Sequence, residues 1–154
     1  ACSQMAAGLV DLGLFKGSAQ DLVERDAHAL FFPHGLGHML GLSTHDAGGC
    51  LAGRAPSDRF GLKWLRADLP LQPGYVVTIE PGIYFIKALL DDPSRRRDFA
   101  DCVEWSKVDA LREFGGIRIE DDVLITESGS EVLTAGIPKT IPEIETLRAQ
   151  AFDS

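Results

Sequence analysis

The chain has 154 residues, a formal net charge of −8 and a pI near 4.9, with 45% hydrophobic and 25% charged residues. These proportions are ordinary for a globular domain. The acidic balance argues against a nucleic-acid backbone as partner, and no apolar run is long enough to cross a bilayer.

In chain order, "CSQMAAGLVDLGL" (residues 2–14) predicts a helix that stops near Lys16-Gly17-Ser18. Ala1 opens the chain where that helix is already under way, so a portion of a longer protein is expected. Ser18 with Asp21 is a capping-box-like start for a second helix over 18–30, with Leu22, Val23, Ala27 and Leu30 at helical spacing. His28 within it reads as a satisfied polar residue. Residues 31–49, "FFPHGLGHMLGLSTHDAGG", then hold three of the four histidines and five of the sixteen glycines. Gly35 and Gly37 disfavour a helix, so a tight turn should bring His34 and His38 into one cleft, with His45 close behind. Residues 53–72 read as polar loop with Pro56 and Gly61.

The period then changes. "YVVTIEPGIYFI" (75–86) alternates as a strand, with Val77 and Ile79 on one face and Val76, Thr78 and Glu80 on the other. Residues 91–114 are charged and irregular, with a short helix over 98–112. "GIRIEDDVLIT" (116–126) is a second alternating strand, Ile117 and Ile119 toward the core and Arg118 and Glu120 opposite. "IPEIETLRAQAF" (141–152), between Pro138 and the chain end, reads as a short amphipathic helix. The fold class is α+β, helices first and strands later. The three cysteines, Cys2, Cys50 and Cys102, are odd in number and share no metal-ligand spacing, which points to reduced thiols in a cytoplasmic compartment.

Glu120 sits among apolar residues on a strand expected to be buried, where a carboxylate must be paired or bind a metal. One reading pairs it with Arg118. The other joins it to His38 and Glu80, an imidazole with two carboxylates that suits Mn, Co, Zn or Fe. Glu80, before a Pro-Gly turn, is weak evidence alone, because a solvated carboxylate explains it equally well.

"PHGLGHMLGLSTHD", "VVTIEPGIYF" and "GIRIEDDVLIT", in this order and at these separations, resemble the metal-dependent aminopeptidase P and prolidase family, with its creatinase-like pita-bread fold of helices on a curved, mostly antiparallel sheet. The resemblance spans about residues 8–145. It implies His38, Glu80 and Glu120 as metal ligands, Glu120 bridging two cations, of which Mn is the first choice. It implies His34 and His45 as cleft histidines that stabilise a tetrahedral intermediate, and Arg118 as the arginine beside the bridging carboxylate. In "GLKWLRADLPLQ" (61–72), Arg66 stands where prolidases grip the free carboxylate of a dipeptide; an exposed loop arginine is the plain alternative.

The chain departs from the family in two places. The family's two aspartate ligands have no counterpart, since only Asp11, Asp21 and Asp26 precede His34 and none has strand context. The 154 residues are therefore expected to be the C-terminal part of a catalytic domain. Alone they should be inactive, with metal absent or mononuclear, and should form a homodimer or pair with the remainder. Cys50 stands where an aromatic is expected. Three functions remain open. The first is an Xaa-Pro dipeptidase acting on proline-containing dipeptides. The second is an Xaa-Pro aminopeptidase acting on longer peptides. The third is a non-catalytic pita-bread module that binds peptides or proteins.

Overall fold

The computed structural model describes residues 1–49 and 55–152, so Cys50 lies outside the described residues. Helix α1 (Cys2–Asp11) ends just before Gly13, whose φ of 69° needs a residue without Cβ strain. Helix α2 (Ala19–Glu24) begins at Ser18, whose hydroxyl accepts the Asp21 amide at 3.1 Å. It is shorter than the helix expected over 18–30. Asp26 turns left-handed, with φ 60°, and the chain resumes as a 3-10 turn over Ala27–Leu30. Arg59 braces this break by donating to the Asp26 carboxylate at 2.7 Å and to the Val23 and Glu24 carbonyls. His28, in that turn, is 3% exposed, and burial lowers its pKa. The ring bonds to the Leu22 backbone while its Nδ1 has no hydrogen-bond partner among the described residues, so the expected satisfied histidine is met at one ring nitrogen only.

The core lies between these helices and the middle of the chain. Leu9, Leu22, Leu30, Phe31, Leu90, Val103 and Val108 are buried together, and Phe31 meets Phe15 and Phe85 edge-to-face, each at 5.4 Å. The helix expected over 98–112 is instead the last of three short ones: α3 (Lys87–Leu90), α4 (Pro93–Asp98) and α5 (Trp105–Ala110). Asp92 caps α4 and Pro93 opens it. Residues 102–104 cannot continue a helix because their backbone is spent elsewhere. Lys16 donates to the Cys102 carbonyl and Glu104 to the Leu14 carbonyl.

Each predicted strand is split in two. Strand β1 (Val76–Ile79) pairs with β4 (Asp121–Thr126), and β2 (Gly82–Tyr84) pairs with β3 (Gly116–Arg118), all antiparallel. β5 (Gly129–Val132) adds to β4 across a tight turn. The register runs unbroken through the split: Ile79 faces Asp121, and Gly82 faces Arg118. Glu80 and Glu120 therefore stand opposite one another in the gap. Pro81, which has no amide hydrogen, accounts for one side of the interruption. The burial expected for Ile117 and Ile119 is not observed. They are 59% and 46% exposed and line an open apolar groove with Leu12 and Phe114, because among the described residues nothing covers that face. The last helix, α6 (Ile141–Phe152), buries none of its residues.

Candidate metal centre

His38 reaches the sheet because residues 36–40 lie alongside β1 as an irregular extra rung. The Thr78 amide donates to the His38 carbonyl at 2.9 Å, the Glu80 amide to the Leu36 carbonyl at 2.7 Å, and the Leu40 amide to the Val76 carbonyl at 2.9 Å. Glycine is required at position 37, where a Cβ would overlap the Thr78 carbonyl oxygen. Next to it, the Thr78 hydroxyl accepts the His38 amide at 2.9 Å and donates to Glu80 Oε1 at 3.1 Å. One threonine thus sets the height of both the imidazole and the carboxylate.

His38, Glu80 and Glu120 each offer one donor atom, all within 4.8 Å of one another. His38 Nε2 lies 3.2 Å from Glu80 Oε1. Its Nδ1 donates to the Met39 carbonyl at 3.0 Å, which commits the ring's proton to that side and leaves the Nε2 lone pair facing the carboxylates. Two acceptors at that separation call for a positive charge between them, and this is the tautomer a ligating histidine adopts. Arg118 supplies part of that charge, with Nε 3.5 Å from Glu80 and 3.2 Å from Glu120. The sequence expectation inverted the burial of the two carboxylates. Glu80 is 8% exposed, whereas the Glu120 side chain is 38% exposed, because β3 is open to solvent on both faces. Like charges directly opposed on a sheet cost stability unless neutralised, so the pair fits a cation site held together by Arg118.

The two remaining histidines rim a cleft of about 200 Å³ lined by His34, Gly35, Gly37, His45, Trp64, Arg66, Glu80 and Arg118. His45 stacks edge-on against His38 at 4.3 Å between ring centroids. Its loop is tied by Asp46, whose carboxylate accepts the amides of Leu42 and Ala47. Arg66 lies on this cleft with its side chain exposed. All seven candidate residues are therefore brought together.

The metallopeptidase family M24 model matches residues 2–127. The chain belongs to this family. It is 46% identical to human Xaa-Pro dipeptidase over 92% of its own length and 41% identical to a probable Xaa-Pro aminopeptidase of Penicillium rubens over 91%. The Escherichia coli aminopeptidase P structure with the inhibitor Pro-Leu superposes on 99% of it, with TM-score 0.67 and 37% identity. The chain thus carries the pita-bread fold, but it spans only 28% of the human relative and 28% of the E. coli chain.

Two residues that shape this site were missed by the sequence reading. Thr78 was assigned only to a strand face, and Tyr84 only to a strand. The Tyr84 hydroxyl lies 3.1 Å from His34 Nε2 and 3.5 Å from Arg118 Nη1, so it links the cleft histidine to the arginine between the carboxylates. The Tyr84 hydroxyl is the first cause, ahead of Glu120 and Glu80, of the raised Arg118 pKa. His34 Nδ1 donates to the Gly35 carbonyl at 2.7 Å, so in the neutral ring Nε2 accepts from the Tyr84 hydroxyl. The available signal was spacing: Tyr84 is four residues past Glu80 on the strand that faces Arg118.

Proposed function

We propose that this site serves a dinuclear metallopeptidase hydrolysing Xaa-Pro dipeptides, and that the 154 residues by themselves are inactive, with metal absent or mononuclear. The observation that carries the reading is the convergence of His38, Glu80 and Glu120 on one point beside a cleft that also holds Arg66. Two divalent cations, Mn first among Mn, Co, Zn and Fe, would supply an acidified water and polarisation of the scissile carbonyl. Among the described residues only three donors converge, so further carboxylates must come from outside them.

The chain's own residues divide the remaining work. Arg66 takes the substrate's free carboxylate through its planar fork. His45, beside His38, donates toward the oxygen on which charge develops, and His34, held between the Gly35 carbonyl and the Tyr84 hydroxyl, lines the same cleft and places that hydroxyl beside it. Arg118, between Glu80 and Glu120, offsets part of their mutual repulsion. A reducing, cytoplasmic setting agrees with the free thiols of Cys2 and Cys102. No described helix is long and apolar enough to cross a membrane. The apolar groove beside β3 supports a homodimer or pairing with the rest of the domain.

The second reading is an Xaa-Pro aminopeptidase acting on longer peptides, favoured by the relatives and solved structures that bear that name. A non-catalytic binding module has no use for three histidines and two glutamates around one point. Titrating the purified chain with Mn(II) by calorimetry and assaying it with Gly-Pro decides the matter. We expect at most one weakly held cation, no turnover, and Gly-Pro binding that weakens about tenfold or more in Arg66→Ala. Two tight cations with robust turnover would sink the incompleteness reading, and tighter binding of Gly-Pro-Leu than of Gly-Pro would favour the aminopeptidase.

A further inference from the structure

Trp64 has no role in the site described so far, yet its indole is 62% exposed at the edge of a cleft whose other side chains, His34, His45, Arg66, Glu80 and Arg118, are all polar. An exposed tryptophan is a large apolar surface held at low conformational cost, and it is commonest where an apolar group docks beside a polar one. The position is built. Residues 64–66 rest on Gly35, where a Cβ would come within 2.9 Å of Leu65 Cδ1 and 3.5 Å of the Leu65 Cα. This close seating holds Leu65 against the turn that carries His34 and leaves its neighbours Trp64 and Arg66 both lining the cleft. Lys63 Nζ lies 5.6 Å from the indole centroid, so Trp64 already carries a cation near its ring.

We infer that Trp64 is the specificity-determining residue for the side chain next to the carboxylate that Arg66 takes. It selects a substrate whose last residue presents an apolar ring, and this rests on the dipeptidase reading of the site. A C-terminal proline has its ring carbons one bond from the carboxylate carbon. A guanidinium and an indole two positions apart along one segment meet both parts at once. Alanine offers the carboxylate but leaves the indole wet. An aromatic contact of this kind corresponds to roughly a five- to tenfold preference.

The test uses the chain in Mn(II), with Trp105→Phe leaving Trp64 the single tryptophan of the two in the sequence. Fluorescence titrations with Gly-Pro and Gly-Ala should show Trp64 emission responding to Gly-Pro, with a preference of roughly five- to tenfold over Gly-Ala. In the otherwise wild-type chain followed by calorimetry, Trp64→Ala should bring the two dipeptides to equal affinity, and Trp64→Phe should restore most of the preference. Arg66→Ala should weaken both dipeptides equally and leave their ratio unchanged. A proline preference that survives Trp64→Ala overturns this inference alone. Absence of any proline preference in the wild-type chain overturns both it and the dipeptidase reading.

Discussion

Two regions of this molecule use similar amounts of apolar sequence to opposite effect. Around Phe31 the helices close on themselves, and Leu9, Leu22, Leu30, Phe31 and Val108 lose all contact with water. Around β3 and α6, Ile117, Ile119, Phe114, Ile141, Ile144 and Leu147 remain between 46% and 73% exposed. The same kinds of side chain stabilise one region and merely mark a surface in the other. Hydrophobic stabilisation follows the area removed from water, not residue type. The two carboxylates of the candidate metal centre straddle this boundary, with Glu80 on the closed side and Glu120 on the open one.

The largest expected contrast comes from truncating one residue on each side. Phe31→Ala should cost about 3–5 kcal/mol in urea unfolding, whereas Ile117→Ala should cost less than about 1 kcal/mol. Equal losses would mean that the β3 face is covered in solution.

Next in size is Gly37→Ala, which tests the seam between the regions. Its Cβ would overlap the Thr78 carbonyl oxygen, so residues 36–40 must lift from β1. We expect roughly 1–3 kcal/mol of destabilisation and loss of Mn(II) binding, because His38 moves with the seam. Unchanged Mn(II) affinity would show that His38 is positioned by something other than this rung.

The smallest effect concerns a clasp on the outside of the closed region, where Arg25 donates two hydrogen bonds to the Asp101 carboxylate. That pairing holds the Asp101 pKa down to about 2, first through the hydrogen bonds from Arg25. A carboxylate depressed on folding stabilises the native state fully above its unfolded pKa of about 3.9. The contribution fades as pH falls from about 4 toward 2. Asp101→Asn should flatten the acid limb of the stability curve in that window, an effect weakened by salt because the pair is exposed. A carboxyl NMR titration that returns an ordinary aspartate midpoint would remove the clasp.

Much of the site was legible before any coordinates. "HGLGH", "IEPG" and "RIED" marked His34, His38, Glu80, Arg118 and Glu120 through the family resemblance, and strand alternation by itself put Arg118 and Glu120 on one face. The start of the second helix was legible too, because Ser18 acts through a neighbour three residues away, whereas the helix that Pro93 opens lay in a stretch read as irregular. The helix over 18–30 and the two long strands were not read correctly. The left-handed Asp26 is braced by Arg59, thirty-three positions away, and each strand is broken at the point where its partner breaks.

The sequence by itself determined the donor types, their order and the side of each strand they occupy, because those follow from short-range stereochemistry. Only the tertiary structure decided that Glu80, not Glu120, is the buried carboxylate. It alone showed that Thr78 sets His38 and Glu80 at one height, and that Tyr84 ties His34 to Arg118. Burial and cross-chain hydrogen bonds depend on which segments, dozens of residues apart, come to lie side by side, and alternation along one strand carries no record of what covers its face.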